Sequence, residues 1–178
     1  IDPMYTASAQ ALDADWVPVR TGTDTALLLA VAYEMLRLDK EEGDIIDWEF
    51  LDKYTVGFDK DHKPADLKED VNFVDYVMGE YDGTPKTPEW AAKITGTDPA
   101  NITMLARVLG KKNNVWFMYS FAAARNDGSE NIPQIVLTIG AMGGHMGRKG
   151  NCTALSYTHN SGNSGGSNLV RGGGAGFS

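Results

Sequence analysis

The stretch Gly22-Thr23-Asp24-Thr25-Ala26-Leu27-Leu28-Leu29-Ala30-Val31-Ala32-Tyr33-Glu34-Met35-Leu36 decides the fold. A glycine turn, then a threonine or aspartate suited to capping, then strong helix formers predict a helix over 25–38. Its leucines, alanines, Val31 and Met35 cover almost every face, and a helix apolar nearly all round is one enclosed by other elements. The rest of the chain has to supply that enclosure.

Upstream, Trp16-Val17-Pro18-Val19-Arg20 is a short extended run that Pro18 restricts to an edge or a bulge. Residues 5–15 are small and polar. The opening Ile1-Asp2-Pro3 reads as the last residue of an apolar strand followed by a turn, so the chain is expected to be an internal piece of a longer one.

Downstream, an amphipathic segment at 44–54, a charged loop at 57–68 and a helix at 70–78 are expected. Thr87-Pro88-Glu89 and Asp98-Pro99 each combine a cap with proline at the first helical position, and glycines Gly96 and Gly110 mark the two stops. Residues 115–120 are apolar and aromatic behind Asn113-Asn114, which predicts a buried strand. A helix follows over 131–142. The last part, from Gly140 onward, holds 12 of the 20 glycines with many serines and asparagines, so it reads as loop.

Strands alternating with helices indicate an α/β, Rossmann-like layered fold, a central parallel sheet flanked by helices and incomplete within this chain. The domain division is 1–150, with a charged helical insertion at about 39–110, followed by a Gly/Ser/Asn-rich loop segment at 151–178. With 178 residues and 42% hydrophobic composition, one core can be buried. The net charge of −8 repels a phosphate backbone, which argues against nucleic acid as a partner. Cys152 is the single cysteine, too few for a disulfide framework or a thiolate metal site. No apolar run reaches the ~20 residues that span a bilayer.

Two turns are the first place for a ligand, because open α/β sheets bind beyond the carboxyl ends of their strands. They are Asp2-Pro3-Met4-Tyr5-Thr6 and Gly22-Thr23-Asp24. The amides opening the helix at 25 suit a phosphate, and Asp24 or Asp2 suits the donor edge of a guanine. Simple capping and turn formation explain the same residues without a ligand. Gly140, Gly143, Gly144 and Gly147, with His145, Arg148 and Lys149, allow close approach to an anion or merely stop a helix. The dinucleotide fingerprint, the Walker pattern, H-E-x-x-H and G-x-S-x-G are all missing, so no catalytic residue and no metal ligand is assigned.

Four segments, in order, resemble the central part of large subunits of the dimethyl sulfoxide reductase family. Ile1-Asp2-Pro3 with Thr6 is similar to the family's I-D-P-R-x-T, and Gly22-Thr23-Asp24 with Ala26-Leu27 to its R-P-G-T-D-x-A-L. The run from Glu49 to Asp59 is similar to F-L-x-K-Y-T-x-G-F/Y-D, and the run from Asp82 to Ala91 to D-G-x-P-K-T-P-x-W-A.

The resemblance implies an α/β subdomain holding one of two molybdopterin guanine dinucleotides, with molybdenum or tungsten in the parent protein. It assigns cofactor contacts to Asp2, Pro3, Met4, Tyr5, Thr6, Gly22, Thr23 and Asp24, with Asp24 on the guanine, and to Ser120 and Arg125. Two departures stand out. Met4 replaces the usual arginine, and the run from Ser120 to Arg125 replaces G-W-G-x-Q-R, keeping Arg125 but putting Ala124 where a polar pterin contact is expected.

The family's iron-sulfur segment, the metal ligand and the C-terminal cofactor domain have no counterpart in these residues, so an isolated chain is expected to be inactive. The resemblance further implies the remainder of its own large subunit as partner, with an iron-sulfur electron-transfer subunit and a membrane anchor in an exported or membrane-associated complex. The expected activity is reduction of an oxo-acceptor in anaerobic respiration. Formate, nitrate and thiosulfate members share this region, and a non-enzymatic α/β interaction module is the rival reading.

Overall fold

The computed structural model describes residues 1–64, 66, 71–119 and 125–155. Thr6 accepts a hydrogen bond from the Ala9 amide at 3.2 Å and opens a five-residue helix, α1 (Ala7–Ala11), in a stretch whose small polar residues carry no helical periodicity. The decisive apolar run is α2 (Asp24–Glu42), longer than 25–38 because its charged last turn continues the helix into solvent. Buried residues run from Leu27 to Ala32 and on to Leu38, and the helix packs against four others.

Those neighbours come from the acidic middle of the chain and from beyond it. Asp47 accepts from the Phe50 amide to start α3 (Trp48–Tyr54), and its own amide donates to the Met142 carbonyl at 2.7 Å. Asn72 caps α4 (Phe73–Met78), which begins later than residue 70 because the asparagine carbonyl oxygen takes the Asp75 amide. Thr87 caps α5 (Pro88–Thr95), and Asp98 caps α6 (Pro99–Val108), each with proline at the start of its helix. The charged insertion is not surface alone: Ile46, Leu51, Phe58 and Val77 are all buried in the core.

Among the described residues the sheet has two parallel strands, β1 (Trp116–Tyr119) and β2 (Cys152–Leu155), in register from Trp116 opposite Cys152 to Tyr119 opposite Leu155. Parallel neighbours need a crossover; here it includes α7 (Ile132–Met142), which packs on both strands and on α2. This is a β-α-β unit, and the α/β expectation holds with a small, open sheet.

Two readings change. The strand expected to be buried at 115–120 is covered on one face only: Phe117 and Tyr119 meet the core, while Trp116 is 68% exposed. Within the stretch read as loop, Cys152–Leu155 is instead a strand, because pairing with β1 supplies what local propensity lacks. Residues 156–178 lie outside the described residues.

Candidate functional site

The two turns singled out above converge. A cavity of about 310 Å³ is lined by Asp2 and Pro3 from the first turn, Gly22 and Asp24 from the second, and Phe117 to Tyr119 from β1. Leu27 and Leu28 of α2 and Ile132 and Val136 of α7 form its apolar wall.

Local bonds hold each turn in place. The Asp2 amide donates to the Val17 carbonyl at 3.2 Å, the Trp16 indole N–H donates to the Asp2 carbonyl at 2.8 Å, and the Asp2 carboxylate accepts from the Met4 amide. The extended run behind Trp16 is fixed in turn, since the Thr97 hydroxyl donates to the Pro18 carbonyl and the Arg20 amide to the Thr95 carbonyl. Gly22 has φ +78, a conformation glycine adopts without penalty. Thr23 does not cap α2 through its side chain; its hydroxyl donates instead to the Arg20 carbonyl at 2.7 Å.

That leaves the helix end open for another group. The first amides of α2 have no acceptor inside the helix, and the Asp24 carboxylate, half-buried, makes no hydrogen bond or ion pair with any described residue. The cavity thus meets the positive end of α2 at Asp24, whose carboxylate is an acceptor at the same point. Such a pair suits a ligand with a phosphate and a donor-bearing ring.

The remaining site candidates fall elsewhere. Met4 is 68% exposed, Tyr5 packs on the Trp16 ring at 5.7 Å, and Thr6 is occupied as the α1 cap. Arg125 is exposed and not part of the cavity lining. Ser120 and Ala124 lie outside the described residues. One lining residue carried no sequence signal: Asn126, whose carboxamide sits 3.7 Å from the point where a side chain on Gly22 would begin. Nothing in its local sequence distinguishes it from an ordinary turn asparagine.

In the glycine cluster, Gly140, Gly143 and Gly144 are close-packed while Gly147 has open space beside it. A Cβ on Gly140 would run into the Thr153 side chain, and one on Gly143 into the His145 ring and the Leu109 carbonyl. His145 is fully buried, with Nε2 2.8 Å from the Leu109 carbonyl and Nδ1 2.8 Å from the Asn151 carboxamide oxygen. His62 is held between Asp59, 2.6 Å from Nδ1, and Asp52, 3.0 Å from Nε2. His159 lies outside the described residues. Among the described residues no three His, Cys, Asp or Glu side chains come together as a metal site, and no helix is long and apolar enough to cross a membrane.

No family model matches the chain. It is 35% identical over 154 residues, 86% of its length, to the dimethyl sulfoxide reductase DmsA of Haemophilus influenzae. The DmsA of Escherichia coli is 34% identical over 84% of the chain, and the trimethylamine-N-oxide reductase of Haemophilus influenzae 34% over 91%. The chain spans 18% of the length of each of these relatives.

Proposed function

The chain belongs to the dimethyl sulfoxide reductase family of molybdopterin oxidoreductases, and from that premise we propose that the cavity between the two turns binds part of a molybdopterin guanine dinucleotide. One observation carries the reading: turns some twenty residues apart in sequence share one cavity, and the Asp24 carboxylate in it has no partner among the described residues. A volume of about 310 Å³ lies at the lower end of the range of small-ligand sites, ~300–1,000 Å³.

The residues fit such a group. Asp24 accepts from the guanine edge, the opening amides of α2 face a phosphate, and Leu27, Ile132 and Val136 exclude water from one wall. Asp2 and Pro3 shape the mouth, held by Trp16. Tyr5, Thr6, Thr23 and Arg125 act outside this cavity, on the backbone around it or on a part of the cofactor beyond it, and Met4 supplies no charge there. When bound, the cofactor supplies two-electron oxygen-atom chemistry at its metal. These residues bind and orient it.

In this reading the whole protein reduces an oxo-acceptor such as a sulfoxide or an amine N-oxide, the chemistry printed in its relatives' names. Its partners are the rest of its own subunit and an electron-donating iron-sulfur protein. Asp24→Ala in the full-length subunit is expected to weaken cofactor retention by ~1–3 kcal/mol, the scale of a lost charged hydrogen bond. Guanine and molybdenum contents equal to wild type after extensive dialysis would refute the assignment.

A further inference from the structure

Among the described residues the buried ionisable side chains are Glu34, Lys86 and His145. Glu34 is paired with Arg37 and Lys86 with Asp82, whereas His145 pairs with no described carboxylate. Its ring nitrogens face neutral oxygens instead, Nε2 the Leu109 carbonyl and Nδ1 the Asn151 carboxamide, each at 2.8 Å.

Both oxygens can only accept. A carbonyl has no proton to give, and the Asn151 carboxamide cannot be turned round. Its oxygen takes the Val115 amide N–H at 2.9 Å while its nitrogen donates to the Lys149 carbonyl at 3.4 Å, two backbone groups whose roles are fixed. Each ring nitrogen must therefore carry a hydrogen, which only the imidazolium provides. A neutral ring has one proton for the two and sets a lone pair against the oxygen left over.

The setting favours that charge. Leu109 is the last residue of the α6 cap, and the ring packs against Gly143, the C-cap of α7, so it stands where the carbonyl ends of two helices concentrate negative potential. The ionic groups around the junction have other partners. Asp47, from the start of α3, lies against Gly144 and 3.8 Å from Arg148; Lys111 and Lys112 bind Asp44; Arg107 binds Glu42. Lys149 contributes its carbonyl to Asn151.

We propose that His145 is an imidazolium in the folded protein and acts as a pH-sensitive latch. While protonated it ties the ends of α6 and α7 to Asn151 and Val115, the residues that lead into β2 and β1. When neutral it releases one of those ties. Because α7 and β1 also line the candidate nucleotide cavity, the same proton governs how firmly two of its walls are held. The latch rests on the ring's own hydrogen bonds and requires no ligand in that cavity.

Neutron diffraction from deuterium-exchanged crystals of the full-length subunit at about pH 6.5 is expected to show deuterium on both Nδ1 and Nε2 of His145. Deuterium on one nitrogen alone would overturn the proposal. Release is read in solution by hydrogen exchange and mass spectrometry of the same subunit, with rates corrected for the intrinsic effect of pH. Protection of peptides over 109–116 and 144–153 is expected to fall several-fold as pH rises above about 6.5, with about tenfold per pH unit as the ceiling for one linked proton. His62 lies outside these peptides, so its titration is not what they report. Asn151→Asp keeps the shape of the side chain and sets a carboxylate beside the ring; its fall is expected about 1–3 pH units higher. His145→Gln, neutral throughout, is expected to show no fall. A wild-type profile that stays flat, or a fall that Asn151→Asp leaves in place, would overturn the latch.

Discussion

His62 has a carboxylate at each ring nitrogen, Asp59 at Nδ1 and Asp52 at Nε2, and only the doubly protonated ring donates to both. The Asp59 hydrogen bond, with added attraction from Asp59, Asp52 and Asp61, raises its pKa above the ordinary 6.5. Because the folded value is the raised one, the associated stability is complete below about pH 6.5 and fades as pH climbs through the folded pKa. His62→Asn is therefore expected to flatten the pH dependence of the urea midpoint above pH ~6.5, while wild type declines there. A parallel fall in both proteins would refute the clamp. The Gly57 amide, which donates to the His62 carbonyl, is expected to exchange faster in the variant.

Residue chemistry also explains what the sequence could show of the site. Of the residues that line the cavity, Asp24 and Gly22 are legible because a turn that opens a buried helix has few alternatives, and Asp2-Pro3 because aspartate and proline punctuate strand ends. Asn126 was invisible: it reaches the cavity from about a hundred residues away, and only the fold brings it beside Gly22. Thr23 illustrates the converse. Its type is that of a cap, but its hydroxyl is drawn to the Arg20 carbonyl, and the helix end stays open.

At the scale of elements, legibility follows the strength of local signals. Helices α5 and α6 begin where their Thr-Pro and Asp-Pro pairs place them. Helix α1 and strand β2 are too short for periodicity to register, and β2 exists through its pairing with β1. The join between α7 and β2 rests on small residues. Gly143→Ala would press a methyl against the Leu109 carbonyl and the His145 ring that bonds to it, and a backbone carbonyl does not yield easily. The expected cost is ~1–3 kcal/mol, the usual penalty of overpacking. Urea denaturation measures it, and a midpoint equal to wild type would show that the junction relaxes freely.

The whole described molecule is organised around α2, which touches α4, α5, α6 and α7. Leu38, fully buried on that helix, is the place to test whether this is one cooperative body. Leu38→Ala is expected to cost ~2–5 kcal/mol while unfolding remains a single transition by fluorescence and circular dichroism alike. Two separated transitions would mean that the acidic middle segment folds apart from the β-α-β unit.

The walls of the candidate cavity come from residues within 1–3, 19–28, 117–119 and 126–136. Joining pieces that far apart requires closing a loop of nearly a hundred residues, an entropy cost met before any contact across the gap is rewarded. The contacts that hold α6 to α2 span less chain, 69 residues for Thr103 and Glu34 and 65 for Arg107 and Glu42. The cavity therefore exists only in the folded body, and anything that binds in it holds those pieces together against unfolding.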